Sequence, residues 1–173
     1  MGLLQYVPIV GRVLEPCAGE GSMAETLQTF GLPLRTVLRN DINPQYGYTW
    51  TDDATNPDAT MWREARPDWV VTNPPFSQAM PILENAYRVA RIGVAFLLRL
   101  SFLEPTHGRR TWLQAHATEM SNLIIFGSPR PSFTDDGRTD SATVAWMVWQ
   151  HGWTGGQAGG TDVQFVTGWD GRD

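Results

Sequence analysis

Along the first part of the chain, short apolar runs alternate with stretches whose apolar positions recur every three or four residues. The runs at Val13–Glu15, Leu34–Leu38, Trp69–Thr72 and Gly93–Leu100 lack in–out alternation, as expected of strands covered on both faces. Thr49–Thr51 reads as a weaker strand among them. Between them, Met23, Leu27 and Phe30 fall on one helical face after the turn Ala18-Gly19-Glu20-Gly21, with Ser22 and Glu25 spaced for a capping box. Ile82, Leu83, Ala86, Val89 and Ala90 mark a second helix. Beyond Leu100 the pattern predicts a helix at Arg110–His116 and strands at Asn122–Phe126, Ala142–Trp149 and Val163–Val166. The fold class is therefore α/β: a mostly parallel sheet with helices on both faces and an antiparallel hairpin towards its end. Gly127–Ser141, rich in Pro, Gly, Asp and Arg, is long enough for a functional loop, and Gly152–Gly160 reads as a flexible connector.

The length of 173 residues fits one domain, 1–173, and 42% hydrophobic residues supply a core. The formal net charge is -5 and every basic residue is Arg, which excludes a general polycation for nucleic acid. Cys17 is the single cysteine, so it has no disulfide partner, and it lacks the spaced companions of a zinc site. A reducing, cytoplasmic setting is expected. The opening segment is too polar for a signal peptide, and the apolar run Ile92–Leu98 is far short of a membrane span.

In an open α/β sheet ligands bind beyond the carboxyl ends of the strands, so the segments following each run carry the candidate chemistry. Glu15-Pro16-Cys17-Ala18-Gly19-Glu20-Gly21 offers a glycine turn and free amides. Asp41, twenty positions after Gly21, is spaced to accept from the hydroxyls of a ribose. Asn73-Pro74-Pro75-Phe76 ends an apolar strand with a proline-fixed turn. There the Asn73 amide oxygen and the Pro74 carbonyl can both accept from one amino group, with Phe76 as a stacking face.

The ordered set Glu15–Gly21, Asp41-Ile42-Asn43-Pro44, Asp53-Ala54 and Asn73-Pro74-Pro75-Phe76 resembles the class I S-adenosylmethionine-dependent methyltransferases, specifically the DNA adenine-N6 branch. The resemblance spans about Val13 to Leu100. It implies the seven-stranded Rossmann-like sheet with a reversed terminal hairpin, and S-adenosyl-L-methionine as cofactor. It also implies that Glu15, Pro16, Cys17, Ala18, Gly19 and Gly21 line the methionine end, that Asp41 with Ile42 holds the ribose side, and that Asp53 with Ala54 holds the adenine. Asp52 is an adjacent rival for the adenine amine. Asn73, Pro74, Pro75 and Phe76 grip the target amine, Asn73 also adjoining the cofactor. Arg99–Glu104, Arg130–Phe133 and Asp140–Thr143 resemble small phage and prophage-type members. By residue type, Phe133 is a candidate second wall for an extruded base, with a core role as the alternative, and Arg109, Arg110, Arg130 and Arg138 are candidates to meet phosphates.

Two departures from the family pattern stand out: only a stub, Leu4–Pro8, precedes the first strand, and no length is left for a target-recognition domain. The expected partner is nucleic acid, preferably DNA, with recognition loose or supplied by a partner chain or an oligomer. RNA base amines, a protein glutamine amide, and a cofactor-binding subunit that needs a partner are the rival readings. Phe76 favours adenine, because the glutamine enzymes usually carry Tyr there, and cytosine-N4 enzymes more often have Ser in place of Asn73.

Overall fold

The computed structural model describes residues 2–30, 35–127, 142–155 and 160–167. Seven strands form one sheet in the order β2-β1-β3-β4-β6-β5-β7. They are β1 (Gly11–Glu15), β2 (Arg35–Arg39), β3 (Trp69–Thr72), β4 (Gly93–Arg99), β5 (Met120–Phe126), β6 (Val144–Gln150) and β7 (Asp162–Val166). The described helices are α1 (Gly2–Tyr6), α2 (Ser22–Thr29), α3 (Thr60–Glu64), α4 (Ala79–Val89) and α5 (His107–Ala115). None of them is long and apolar enough to cross a membrane. The chain divides into two compact units, Pro8–Phe96 and Leu97–Asp173 with Met1–Val7.

In Pro8–Phe96 the pairings of β1 with β2 and β3, and of β3 with β4, are parallel. Such pairing demands strands covered on both faces, and all four residues of β3 are buried, as are Val13, Leu14 and Glu15 of β1. The register aligns Glu15 with Arg39, so the segments after β1 and β2 leave the sheet side by side. α4 buries Ala79, Ile82, Leu83, Asn85, Ala86 and Tyr87, close to the stripe the sequence predicts.

Three local expectations are corrected. No strand forms at Thr49–Thr51; Trp50 makes one isolated parallel bridge to Asn40. The reason is chemical: the Asn40 side chain takes both backbone groups of Asp52, which a continuing ladder would need. The Ser22–Glu25 capping box is absent. Gly21, with φ 89°, occupies the N-cap and its carbonyl receives the Glu25 amide at 2.9 Å, which leaves Ser22 inside the helix. The buried positions of α2 are Ala24 and Leu27, while Phe30 is the extended residue that follows the helix.

In the second unit, β5 and β6 pair antiparallel and form the expected reversal, whereas β7 runs parallel to β5 and lies at the sheet edge. β4 stops at Arg99, because Leu100–Leu103 turns into a 3-10 helix whose Leu100 amide bonds the Thr143 carbonyl at 2.8 Å. β6 carries six consecutive buried residues, Val144–Trp149.

Candidate active site

The carboxyl ends of β1, β2 and β3 deliver their following segments to one cavity. Of the residues singled out in the sequence, Pro16, Cys17, Asp41, Ile42, Asp53 and Ala54 line it. Pro75 joins them, together with Asp52, Gln78 and Ile82.

The glycine turn is built by local chemistry. Gly19 (φ 51°) and Gly21 (φ 89°) adopt left-handed backbone, and a Cβ on Gly21 would press on the Tyr48 hydroxyl. Tyr48 donates to the Gly19 carbonyl at 2.8 Å, stacks on Tyr46 and carries the Arg39 guanidinium over its ring. The Gly19 amide donates to Asp41 Oδ2 at 2.8 Å, and the Asn43 amide donates to Oδ1 at 2.9 Å. The glycine turn and Asp41, paired in the sequence by the Gly21 spacing, are thus in contact, through Gly19 rather than Gly21. Each carboxylate oxygen keeps acceptor capacity beyond its one amide. Beside it Ile42 is 65% exposed, an apolar side chain on the cavity rather than in the core.

Of the two neighbouring aspartates, Asp52 is committed to the fold: its Oδ2 accepts the Met61 amide at 2.7 Å at the start of α3. Asp53 Oδ1 accepts the Thr55 amide and hydroxyl, both at 2.8 Å, which leaves Oδ2 outside that turn. Asn85, on the buried stripe of α4, fastens this loop by donating to the Ala54 and Thr55 carbonyls at 3.1 and 3.0 Å.

Glu15 ends β1 at 2% exposure, and its Oε2 has no hydrogen-bond partner. Burial pushes its carboxyl up to about 8, against the opposing pull of the Arg39 guanidinium and the Ala24 amide. Burial likewise pushes the Cys17 thiol up to about 12. At neutral pH that sulfur is a thiol, which removes it as a nucleophile.

Asn73 follows β3 half-buried, Pro74 is buried, Pro75 is exposed and Phe76 opens a short 3-10 turn. The turn is closed by the Gln78 amide on the Pro75 carbonyl at 2.9 Å. Among the described residues, no hydrogen bond takes up the Asn73 carboxamide or the Pro74 carbonyl.

Of the remaining expected substrate contacts, Arg109 and Arg110 lie on α5. Arg109 is half-buried on α5, with its guanidinium over the Phe102 ring and its Nε on Thr106 Oγ1 at 3.2 Å, whereas Arg110 is exposed. Phe133, Arg130 and Arg138 lie outside the described residues, as does most of the Gly127–Ser141 loop.

Sequence reasoning missed Asn40, Tyr48 and Asn85. The signal for Asn85 was a polar residue on the apolar face of a helix pattern. Asn40 had a weaker one, a carboxamide between a strand and the candidate ribose-binding aspartate.

No family model matches this sequence, and no curated protein matches it. Solved structures do. A type I restriction-modification methyltransferase subunit from Streptococcus thermophilus superposes with a TM-score of 0.60 at 14% identity, over 80% of this chain and 39% of that one. Precorrin-6y C5,15-methyltransferase from Geobacter metallireducens gives 0.56 at 15% identity, over 84% of each chain. A putative class I S-adenosylmethionine-dependent methyltransferase from Listeria monocytogenes gives 0.53 at 12% identity, over 95% of this chain and 60% of that one. The chain thus spans about two fifths of the restriction-modification subunit it resembles. It has the fold of the class I methyltransferases.

Proposed function

We propose that this chain binds S-adenosyl-L-methionine in the cavity beyond β1, β2 and β3 and transfers its methyl group directly to an exocyclic amine, adenine N6 in DNA. The observation that carries the amine target is the Asn73-Pro74-Pro75-Phe76 turn. Its two oxygen acceptors, the Asn73 amide and the Pro74 carbonyl, are unspent by the fold and adjoin the cavity through Pro75.

The cofactor fits the groups present. Asp41 retains acceptor capacity for ribose hydroxyls, Ile42 offers an exposed apolar face to a base, and Asp53 keeps one oxygen for an amino group. Glu15, whose Oε2 is unpartnered, ends β1 directly before the turn assigned to the methionine end, and a cationic ammonium held there would relieve its isolation. When bound, S-adenosyl-L-methionine supplies a methyl group on a sulfonium, already activated for displacement. The protein therefore has to align and polarise. Asn73 and Pro74 accept the two amine protons and turn the nitrogen lone pair towards the methyl group. The Phe76 ring gives the base a stacking face. The substrate nitrogen displaces S-adenosylhomocysteine from the methyl carbon and then releases one proton to solvent, so no enzyme nucleophile is needed, in keeping with the raised Cys17 thiol.

A base in duplex DNA must first be extruded, at about a few kcal/mol, so single-stranded DNA is the more accessible substrate. The net charge of -5 also disfavours tight, sequence-independent gripping of a duplex. The test is transfer of a tritiated methyl group to single-stranded DNA, duplex DNA, RNA and protein, with digestion and mass identification of the product. N6-methyladenine from DNA is the expected product. Methylated RNA or methylglutamine would move the same site to a rival substrate, and 5-methylcytosine would contradict the amine mechanism.

A further inference from the structure

Asn40 holds the cavity together in a way no assigned role accounts for. It is fully buried, at 0% exposure, directly before Asp41. Both side-chain hydrogens are spent, on the Pro16 carbonyl at 2.8 Å and the Asp52 carbonyl at 3.0 Å. Its Oδ1 accepts the Asp52 amide at 2.9 Å. Its backbone amide donates to the Glu15 carbonyl at 3.0 Å, and its carbonyl accepts the Ala18 amide at 2.9 Å. A carboxamide that takes both backbone groups of one residue mimics a strand, and here it does so where the expected third strand is missing.

The consequence lies in the neighbours. The cavity residues Cys17, Asp41 and Asp53 each directly follow a residue of this network: Pro16, Asn40 and Asp52. One side chain therefore sets the spacing between the segment placed at the methionine end and the segment placed at the adenine end. We infer that Asn40 is a positioning residue for the cofactor, fixing those segments at the separation that lets one nucleoside engage Asp41 and Asp53 together. The inference rests on the cofactor reading above and goes beyond it, since Asn40 does not line the cavity itself.

Replacement by aspartate separates this role from simple packing. Asn40→Asp keeps the volume and the acceptor for the Asp52 amide but turns an oxygen towards the Pro16 and Asp52 carbonyls, where a donor is required. Its affinity for S-adenosylhomocysteine, measured by calorimetry on the full chain below the unfolding transition, should fall by about tenfold or more. Because protonation restores one donor, the deficit relative to wild type should shrink as pH falls. Ser121→Ala, a similarly buried polar site in the other unit, is the control for general destabilisation and should bind within about twofold of wild type.

If Asn40→Asp does not fold, hydrogen exchange on the wild type decides. S-adenosylhomocysteine should raise protection of the Ala18 and Asp52 amides together. Binding by Asn40→Asp within about twofold of wild type, or protection of one amide without the other, would overturn the positioning role while leaving the cofactor reading intact. A wild-type chain that binds no S-adenosylhomocysteine would overturn both.

Discussion

The two ends of the parallel strands in Pro8–Phe96 use carboxylates in opposite ways. At the amino ends, Asp68 accepts the Arg12 amide at 2.8 Å and pairs with Arg91 at 2.9 Å. Residue 11 must be glycine there, because a Cβ would run into the Asp68 carboxylate. Each Asp68 oxygen is thus engaged by a group of the fold, one by an amide and one by a guanidinium. At the carboxyl ends, Asp41 and Asp53 are oriented by backbone amides and have no ion-pair partner among the described residues, and Glu15 buries an oxygen with no hydrogen bond. Amides orient a carboxylate without exhausting it, whereas an amide together with a guanidinium consumes it. The difference marks which end is built to receive a ligand.

The largest effect should come from Asn73→Ala. Methyl transfer is expected to fall by about a thousandfold or more, with the cofactor dissociation constant within about threefold of wild type, as single-turnover rates and equilibrium binding would show. Next, Asp41→Ala should weaken cofactor binding by about ten- to a hundredfold by calorimetry, through loss of the ribose contact and release of the Gly19 and Asn43 amides. Equal loss of affinity in these two variants would erase the division between cofactor and target groups.

At the opposite end, Asp68→Ala should cost about 1–3 kcal/mol in denaturant unfolding and leave cofactor affinity unchanged within about twofold. A large affinity loss there would break the comparison.

The remaining effect is a pH dependence of stability rather than a loss of binding or turnover. The Glu15 carboxyl sits at about 8 in the folded chain against 4.5 as a free side chain. The folded state therefore holds more protons than the unfolded state between these values. The contribution is fully present below 4.5 and is lost as pH rises through about 8. Glu15→Gln should flatten this part of the stability profile, and thermal melts from pH 5 to pH 8 in the absence of cofactor would show about ten degrees less decline than wild type.

Much of the site was legible because its signals are local. An apolar run stopped by Asn73-Pro74-Pro75 can hardly be anything but a buried strand ending in a rigid turn. The pairing of the glycine turn with Asp41, read from the Gly21 spacing, is made by one hydrogen bond from Gly19. What escaped depends on partners distant in sequence. Asn40 works by reaching Pro16 and Asp52, so neither its role nor its replacement of a third strand appears in any window around it. The capping box failed because a left-handed Gly21, already required by the turn, does the capping by backbone alone. In the second unit, strand existence was readable from apolar runs, but the parallel placement of β7 beside β5 is set by long-range pairing. The place of Arg109 over Phe102 likewise follows only from the packing of α5.

The most direct test of the account is a crystal structure of the chain with S-adenosylhomocysteine. The account predicts ribose hydroxyls on Asp41, the adenine against Ile42 with its amine at Asp53, and the sulfur facing the Asn73 turn. A ligand bound elsewhere, or one in this cavity without contact to Asp41, would contradict it.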